Sequence, residues 1–229
     1  MKTVGIVLAG GSGRRMGTAV EKQYLPIKGY PVLYYSLAAM QESFLDEIIL
    51  VAGADRIEYC REEIVERYHF TKVTKIVAGG AERYDSVANA LAAIDVADYV
   101  FIHDGARPCL TAEILSRGLA CVKEMGACVA AVRSKDTVKI VEVDGKISYT
   151  PNRESVWIIQ TPQVFAFDLI REAHEKMKMV DKTGITDDAM VVEKMLGAPV
   201  YVFEGDYKNI KITTAEDLTT AEEYLNLFA

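Results

Sequence analysis

Three glycines followed by three cations set the chemistry of this chain. Val4-Gly5-Ile6-Val7-Leu8 is an apolar, β-branched run that predicts a strand buried on both faces. Ala9, Gly10, Gly11 and Gly13 come directly after it. Glycine reaches backbone angles closed to other residues and puts no side chain between an anion and the amide N–H groups. Arg14, Arg15 and Lys22 then place three positive charges within nine residues. One phosphate needs fewer, so the stretch is built for a triphosphate.

Two common phosphate loops do not fit it. The dinucleotide fingerprint requires glycine or alanine where Met16 stands, and the P-loop requires a Gly-Lys-Ser or Gly-Lys-Thr that is missing at the needed spacing. What is left is Gly-Gly-x-Gly-x-Arg-Met followed by a lysine. This combination is similar to the signature of enzymes that join a sugar phosphate to a nucleoside triphosphate. Such a reaction needs no general base, because a phosphate monoester with a second pKa of about 6 is already a dianion at pH 7. Accordingly the chain offers no Ser-His-Asp or Cys-His constellation, and His69 and His174 read as solvated residues on surface helices.

The positioning elements alternate. Strands are predicted at 47–52, 73–78, 98–102, 127–132, 160–165, 199–203 and, shorter, 209–212. Helices are predicted at 31–43, 55–68, 85–94, 111–125, 167–178, 187–196 and 214–227, the last capped by Thr213 or Thr214. This rhythm implies an α/β fold, a three-layer Rossmann-like and mostly parallel sheet with helices on both faces. Ligands on such sheets bind beyond the carboxyl ends of the strands. The glycine loop, Gly79-Gly80 and the turn from Asp104 to Pro108 all fall there. The alternation breaks at about 133–156, where Asp144-Gly145 marks a hairpin turn between 137–143 and 146–149. A lone hairpin is marginal in water, so this protruding β-arm rests either on its own domain or on a second subunit. Residues 1–229 are read as one nucleotidyltransferase domain carrying that arm.

Composition narrows the partners. Half of the 229 residues are hydrophobic, yet no apolar run approaches the ~18 residues of a membrane span, and no signal-peptide pattern opens the chain. The expectation is a cytoplasmic protein. Cys60, Cys109, Cys121 and Cys128 lack metal or disulfide spacing and read as reduced, packed thiols. A net charge of −7 argues against nucleic acid or membrane as partner and leaves the local Arg/Lys cluster for a small polyanion.

Further stretches carry a resemblance that runs nearly end to end. They are Lys22-Gln23-Tyr24-Leu25, Asp85-Ser86-Val87, His103-Asp104-Gly105-Ala106-Arg107-Pro108, Asp136-Thr137-Val138-Lys139, Pro151-Asn152-Arg153, Gln160-Thr161-Pro162-Gln163, Ile185-Thr186-Asp187-Asp188 and Asn209-Ile210-Lys211-Ile212-Thr213. Together with the glycine loop they resemble the 2-C-methyl-D-erythritol 4-phosphate cytidylyltransferases of non-mevalonate isoprenoid biosynthesis. The resemblance implies CTP and a polyol phosphate as substrates, Mg²⁺ or another divalent cation, and a homodimer joined through the arms. By it, Arg15 and Lys22 stabilise the reacting phosphates, and Arg153 and Lys211 position the incoming sugar phosphate. Ala9, Gly10, Gly80 and Ser86 match cytosine-recognising positions, with Gly11 and Gly13 in the phosphate loop. Asp104, Ala106 and Arg107 line the ribose and methylerythritol region, Asp104 being either a metal ligand or a hydrogen-bonding group. Thr137, Thr161 and Thr186 lie towards the methylerythritol end, and Thr137 and Arg153 serve the neighbouring subunit's site.

The chain departs from the family pattern at Glu21, where proline is usual, and at Ala81, where an acidic residue is common. Glu21 is expected to loosen the loop and partly neutralise Lys22. Ribitol 5-phosphate cytidylyltransferase shares the glycine loop and a similar Asn-Ile-Lys, but Trp157 and Thr186-Asp187-Asp188 favour the methylerythritol enzyme. A catalytically silent nucleotide-binding protein on the same scaffold is disfavoured by the presence of Arg15, Lys22, Arg153 and Lys211.

Overall fold

The structure, a computed structural model, describes residues 1–11 and 20–227, so Gly13, Arg14 and Arg15 lie outside the described residues. The chain opens with β1 (Thr3–Ala9), followed by the short β2 (Pro26–Ile27) and β3 (Tyr30–Pro31), then α1 (Val32–Gln41) and β4 (Glu47–Ala52). A single turn of α2 (Ile57–Tyr59) runs into a π-helix (Cys60–Glu66) and leads to β5 (Val73–Ala78), α3 (Arg83–Ala92) and β6 (Tyr99–Asp104). Next come α4 (Ala112–Met125) and β7 (Ala127–Arg133), and then the arm strands β8 (Ile140–Val141) and β9 (Ile147–Tyr149). The chain finishes with β10 (Trp157–Ala166), α5 (Phe167–Met177), α6 (Asp188–Leu196), β11 (Tyr201–Glu204) and α7 (Ala215–Asn226).

Seven strands form one sheet in the order β11-β7-β10-β6-β1-β4-β5. Only β10 among them runs antiparallel to its neighbours. The strand period of two sorts side chains between the faces. Ile48 and Leu50 of β4 point into one core with α1, the π-helix and α4; Ile49 and Val51 point into another with α3, α5 and α6. Burying each such side chain contributes roughly 2 kcal/mol. Because both faces are covered, the strands read as unbroken apolar runs, and the expected three-layer fold is the observed one. Helix starts carry their own caps: Glu82 with Asp85 on α3, Thr111 on α4 and Thr214 with Asp217 on α7.

The consequence for function is one rim. Parallel β1, β4, β5 and β6 end side by side, so Gly10-Gly11, Gly53, Gly79-Gly80 and Gly105 meet at the carboxyl edge. α7 closes that edge through a small core of Ile27, Ala106, Ile212 and Ala221.

Some expected elements differ. Residues 209–212 form no strand; Asn209 N–H turns back to the carbonyl of Asp206, and Ile212 N–H is taken by Ala106 at 2.8 Å, so no ladder forms. The helix expected at 55–68 is split between 3₁₀, α and π turns. His69 follows it in an exposed turn at φ 56°, not within a helix. His174 is buried in α5, not solvated. The hairpin pairs only Ile140–Tyr149 and Val141–Ile147, with Gly145 at φ 89° supplying the turn. Among the described residues no helix is long and apolar enough to cross a membrane, and all four cysteines are free thiols.

Candidate active site

One wall of the crevice is backbone. Gly10 packs against Ala52 and Gly79 so closely that an added Cβ would stand 3.5 Å from both. At Gly80 a side chain would collide with Asp85, so only glycine lets the backbone face the rim. The Gly80 N–H donates to Ser86 Oγ at 3.0 Å, and Ser86 donates onward to the Glu82 carbonyl at 3.2 Å. Ala9 is buried, its carbonyl accepting from Gln23 Nε2 at 2.7 Å. Ala9, Gly10, Gly80 and Ser86 are thus brought together by β1, β5 and the first turn of α3.

The other wall is charge. Asp104, at the end of β6, lies 2.6 Å from Lys211 Nζ, 3.5 Å from Arg83 Nε and 4.0 Å from Arg107 Nε. Arg83 also pairs with the fully buried Asp188 at 2.8 Å. Burial alone would raise the Asp104 carboxyl, but Arg83, Lys211 and Arg107 outweigh it and hold it well below the usual carboxylate range. At Asp188 burial prevails over Arg83 and pushes the carboxyl up. Lys22 Nζ donates to the carbonyl of Ile212 at 2.6 Å. The lysine after the glycine loop therefore reaches the residue next to Lys211, far along the chain. Lys22, Lys211, Arg83 and Arg107 stand here against Asp104, Asp188 and, beside Arg83, Asp187, four cations to three carboxylates, which leaves this wall positive and ready for an anion.

Buried hydrogen bonds hold Asp104 in place. Its N–H donates to Thr161 Oγ1 at 3.0 Å, and that hydroxyl is also bonded to His103 Nδ1 at 3.0 Å. Burial pushes the His103 imidazole down to about 4, which keeps it neutral beside the cations. Arg107 donates to the Asn209 carbonyl at 2.7 Å, and Asn209 Nδ2 to the Thr161 carbonyl at 2.8 Å. Residues 209–212 are irregular because they are tied across strand ends instead of along a strand.

A cleft of about 420 Å³ runs from Arg107 and Lys211 past Gln160 and Tyr207 to the root of the arm at Arg133 and Asp136. Its far side carries the exposed apolar residues Ile158 and Ile159. The family model of 2-C-methyl-D-erythritol 4-phosphate cytidylyltransferase matches residues 3–227. The chain belongs to that family. The cytidylyltransferase of Lachnoclostridium phytofermentans is 49% identical over 224 residues, covering 98% of this chain and 96% of the relative. That of Clostridium perfringens is 48% identical over 225 residues, 98% of this chain and 99% of the relative. The crystal structure of the 4-diphosphocytidyl-2C-methyl-D-erythritol synthase from Anaerococcus prevotii superposes with a TM-score of 0.86 at 34% identity, covering 98% and 96% of the two chains.

Against the residues expected to serve such a cytidylyltransferase, the crevice unites Ala9, Gly10, Gly80, Ser86, Asp104, Arg107, Thr161, Lys22 and Lys211. Ala106 turns its side chain into the α7 core and offers its carbonyl to Ile212. Thr186 is exposed at a recess of about 140 Å³ beside Arg83. Thr137 and Arg153 stay exposed on the arm, and among the described residues no hydrogen bond or ion pair joins their side chains to the crevice. Glu21, expected to bear on Lys22, pairs with Arg56 at 3.0 Å. Arg83, His103 and Asn209 were not expected as site builders. The signal for Arg83 was a cation in the first turn after Gly79-Gly80.

Around Asp104 the described residues offer no protein cage for a divalent cation. Three cations already face its two oxygens, and among the described residues no cluster of three metal-ligating side chains exists.

Proposed function

We propose that this crevice transfers the cytidylyl group of CTP to 2-C-methyl-D-erythritol 4-phosphate. A dianionic phosphate oxygen of the methylerythritol substrate forms a bond to the α-phosphorus of CTP. The bond from that phosphorus to the bridging oxygen breaks, and its electron pair leaves with pyrophosphate. No proton is transferred to the protein, in keeping with neutral His103 and with a carboxylate, Asp104, that is fully committed to cations.

One observation carries this reading: Lys22 Nζ reaches the carbonyl of Ile212, the residue next to Lys211, whose own Nζ holds Asp104 at the end of β6. We assign Lys22, with Arg15, to the CTP phosphates and Lys211, with Arg107, to the sugar phosphate. Preorganised charges of this kind act where negative charge accumulates in the transition state. Gly10, Gly80 and Ser86 form a slot whose bare backbone suits a pyrimidine. We attribute Mg²⁺ to the nucleotide, CTP entering as its magnesium complex. The arm exposes Ile140, Val141, Val143, Ile147 and Tyr149, which supports a homodimer in which Arg153 and Thr137 reach the partner's crevice.

Pyrophosphate release, measured with CTP, UTP and ATP against methylerythritol 4-phosphate and ribitol 5-phosphate, tests the reading. Turnover is expected with CTP and methylerythritol 4-phosphate. Faster turnover with ribitol 5-phosphate would replace it with the ribitol enzyme, and release from no pair would leave a binding protein.

A further inference from the structure

The segment after the glycine loop is held from several directions. Gln23 Nε2 donates to the carbonyls of Ala9 at 2.7 Å and Gly11 at 3.0 Å. Tyr24 Oη lies 3.3 Å from Cys60 Sγ, and Lys22 reaches Ile212. Directly ahead of Lys22, Glu21 receives both prongs of one guanidinium: Arg56 Nε donates to Oε1 at 3.1 Å and a terminal nitrogen of Arg56 to Oε2 at 3.0 Å.

Arg56 comes from a different strand end. It closes a 3₁₀ turn (Ala54–Arg56) beyond β4, its own N–H donating to the Gly53 carbonyl at 2.9 Å. Asp55, 3.9 Å from Arg56, is the more exposed acidic neighbour. A two-pronged arginine–carboxylate bond fixes orientation as well as distance. The Glu21 backbone it restrains stands at φ −64° and ψ 139°, the φ that a proline ring imposes covalently. The clamp therefore does with two side chains what a ring does within one residue.

We propose that Arg56 is a positioning residue for nucleotidyl transfer: by clamping Glu21 to the end of β4 it fixes the backbone from which Lys22 reaches the reacting phosphates. This inference rests on the assignment of Lys22 to CTP. Arg56 is about one-third exposed, so the pair adds little to global stability; its effect belongs in turnover. Small misplacements of a catalytic group cost far more in rate than in folding.

The test uses full-length Arg56→Ala, Arg56→Lys, Glu21→Pro/Arg56→Ala and Lys22→Ala, with pyrophosphate release at varied CTP and thermal melting. Arg56→Ala is expected to lower kcat about 5–10-fold while Tm moves by less than about 3 °C. Arg56→Lys, which loses the fork but keeps the charge, falls between. Glu21→Pro/Arg56→Ala should return kcat to within about twofold of wild type, because the ring replaces the clamp. Wild-type kcat in Arg56→Ala overturns the proposal. So does a loss that Glu21→Pro does not restore, which would place Arg56 itself on the triphosphate. If the proline variant melts early, the reversed pair Glu21→Arg/Arg56→Glu takes its place: recovery supports the clamp and no recovery overturns it. Undiminished turnover in Lys22→Ala would overturn the Lys22 assignment, and the clamp's role with it, whereas a dead Lys22→Ala beside an unaffected Arg56→Ala rejects the clamp alone.

Discussion

The crevice and the arm carry the same kind of residue in opposite physical states. In the crevice, Asp104 is ringed by Lys211, Arg83 and Arg107, and its backbone is held by Thr161, itself bonded to His103. Those side chains come from β6 and the turn after it, α3, β10 and the 209–212 segment, and each is fixed by a partner from another of these. On the arm, Arg153 sits in a 3₁₀ turn (Arg153–Ser155) beside strands of two and three residues whose apolar side chains face solvent. Packing and pairing inside one subunit complete the first region and leave the second unfinished. In the proposed homodimer, a site drawing on both would be half preorganised and half conditional on association.

The largest effect should come from emptying the preorganised half. Lys22→Ala or Lys211→Ala is expected to lower kcat on the order of 10²-fold or more. Lys22 is half-buried at the rim, where its Nζ donates to the Ile212 carbonyl, and it lies outside the apolar cores, so its loss should leave the melting curve close to wild type. Lys211→Ala differs in one respect. It removes the closest cation from a buried carboxylate, and some loss of stability should accompany the loss of rate. Wild-type pyrophosphate release in either variant would show that the crevice is not the reacting centre.

What the sequence disclosed follows the same division. β1, β4 and β6 were legible because strands buried on both faces are written as continuous apolar runs. Asp104 was legible at the end of such a run and Lys22 as a cation following the glycine loop, whereas Lys211 came from the family resemblance. Pairings between distant residues were not. Glu21 stands beside Lys22 in sequence, yet Arg56, 35 positions on, takes its carboxylate. The 209–212 stretch alternates like a strand, but its Ile212 N–H is claimed by Ala106. On the arm, Asp144-Gly145 announced the turn, while the paired strands cover only Ile140–Val141 and Ile147–Tyr149, less than the alternation at 137–143 suggested. His174 was misread for a simpler reason: its polar type hid its position, one turn from the buried Ile170 on the inner face of α5.

An intermediate effect would decide whether the arm completes the neighbouring site. Arg153→Ala and Lys22→Ala are each expected to be nearly inactive as homodimers. In a mixed dimer, the site on the Arg153→Ala subunit keeps its own Lys22 and receives an intact Arg153 across the twofold axis; the other site loses both. Differently tagged, co-expressed and purified mixed dimers should therefore show about half of wild-type turnover, one site of two. If Arg153 serves its own subunit, every site lacks one residue and nothing returns. A mixed dimer as dead as its parents would mean that the arm does not complete the neighbouring site.

The smallest effect asks how far the solidity of the packed half depends on pairing. Among the described residues neither ring nitrogen of His174 has a hydrogen-bond partner. Burial, with Arg83 and Lys182 adding to it against Asp85 and Glu175, pushes its pKa down from 6.5 to about 4. The sign follows from proton counting: below pH 6.5 the unfolded chain binds a proton that the folded imidazole refuses until about pH 4. Stability should therefore fall as pH drops through that window and level off beneath it, by about 1.4 kcal/mol per pH unit at most for this one group. Asp104 works the other way, since a depressed carboxyl contributes its stability above the ordinary carboxylate range and loses it only at much lower pH. His174→Leu deletes the titrating group and leaves an apolar side chain among Ile170, Ala173 and Met177. Urea melts of wild type and His174→Leu at pH 7.5, 6 and 5 should converge at the highest pH and separate with the variant more stable at the lowest. Parallel curves across the three pH values would mean that His174 is protonated within the fold, and that α5 admits the charge the crevice takes such care to pair.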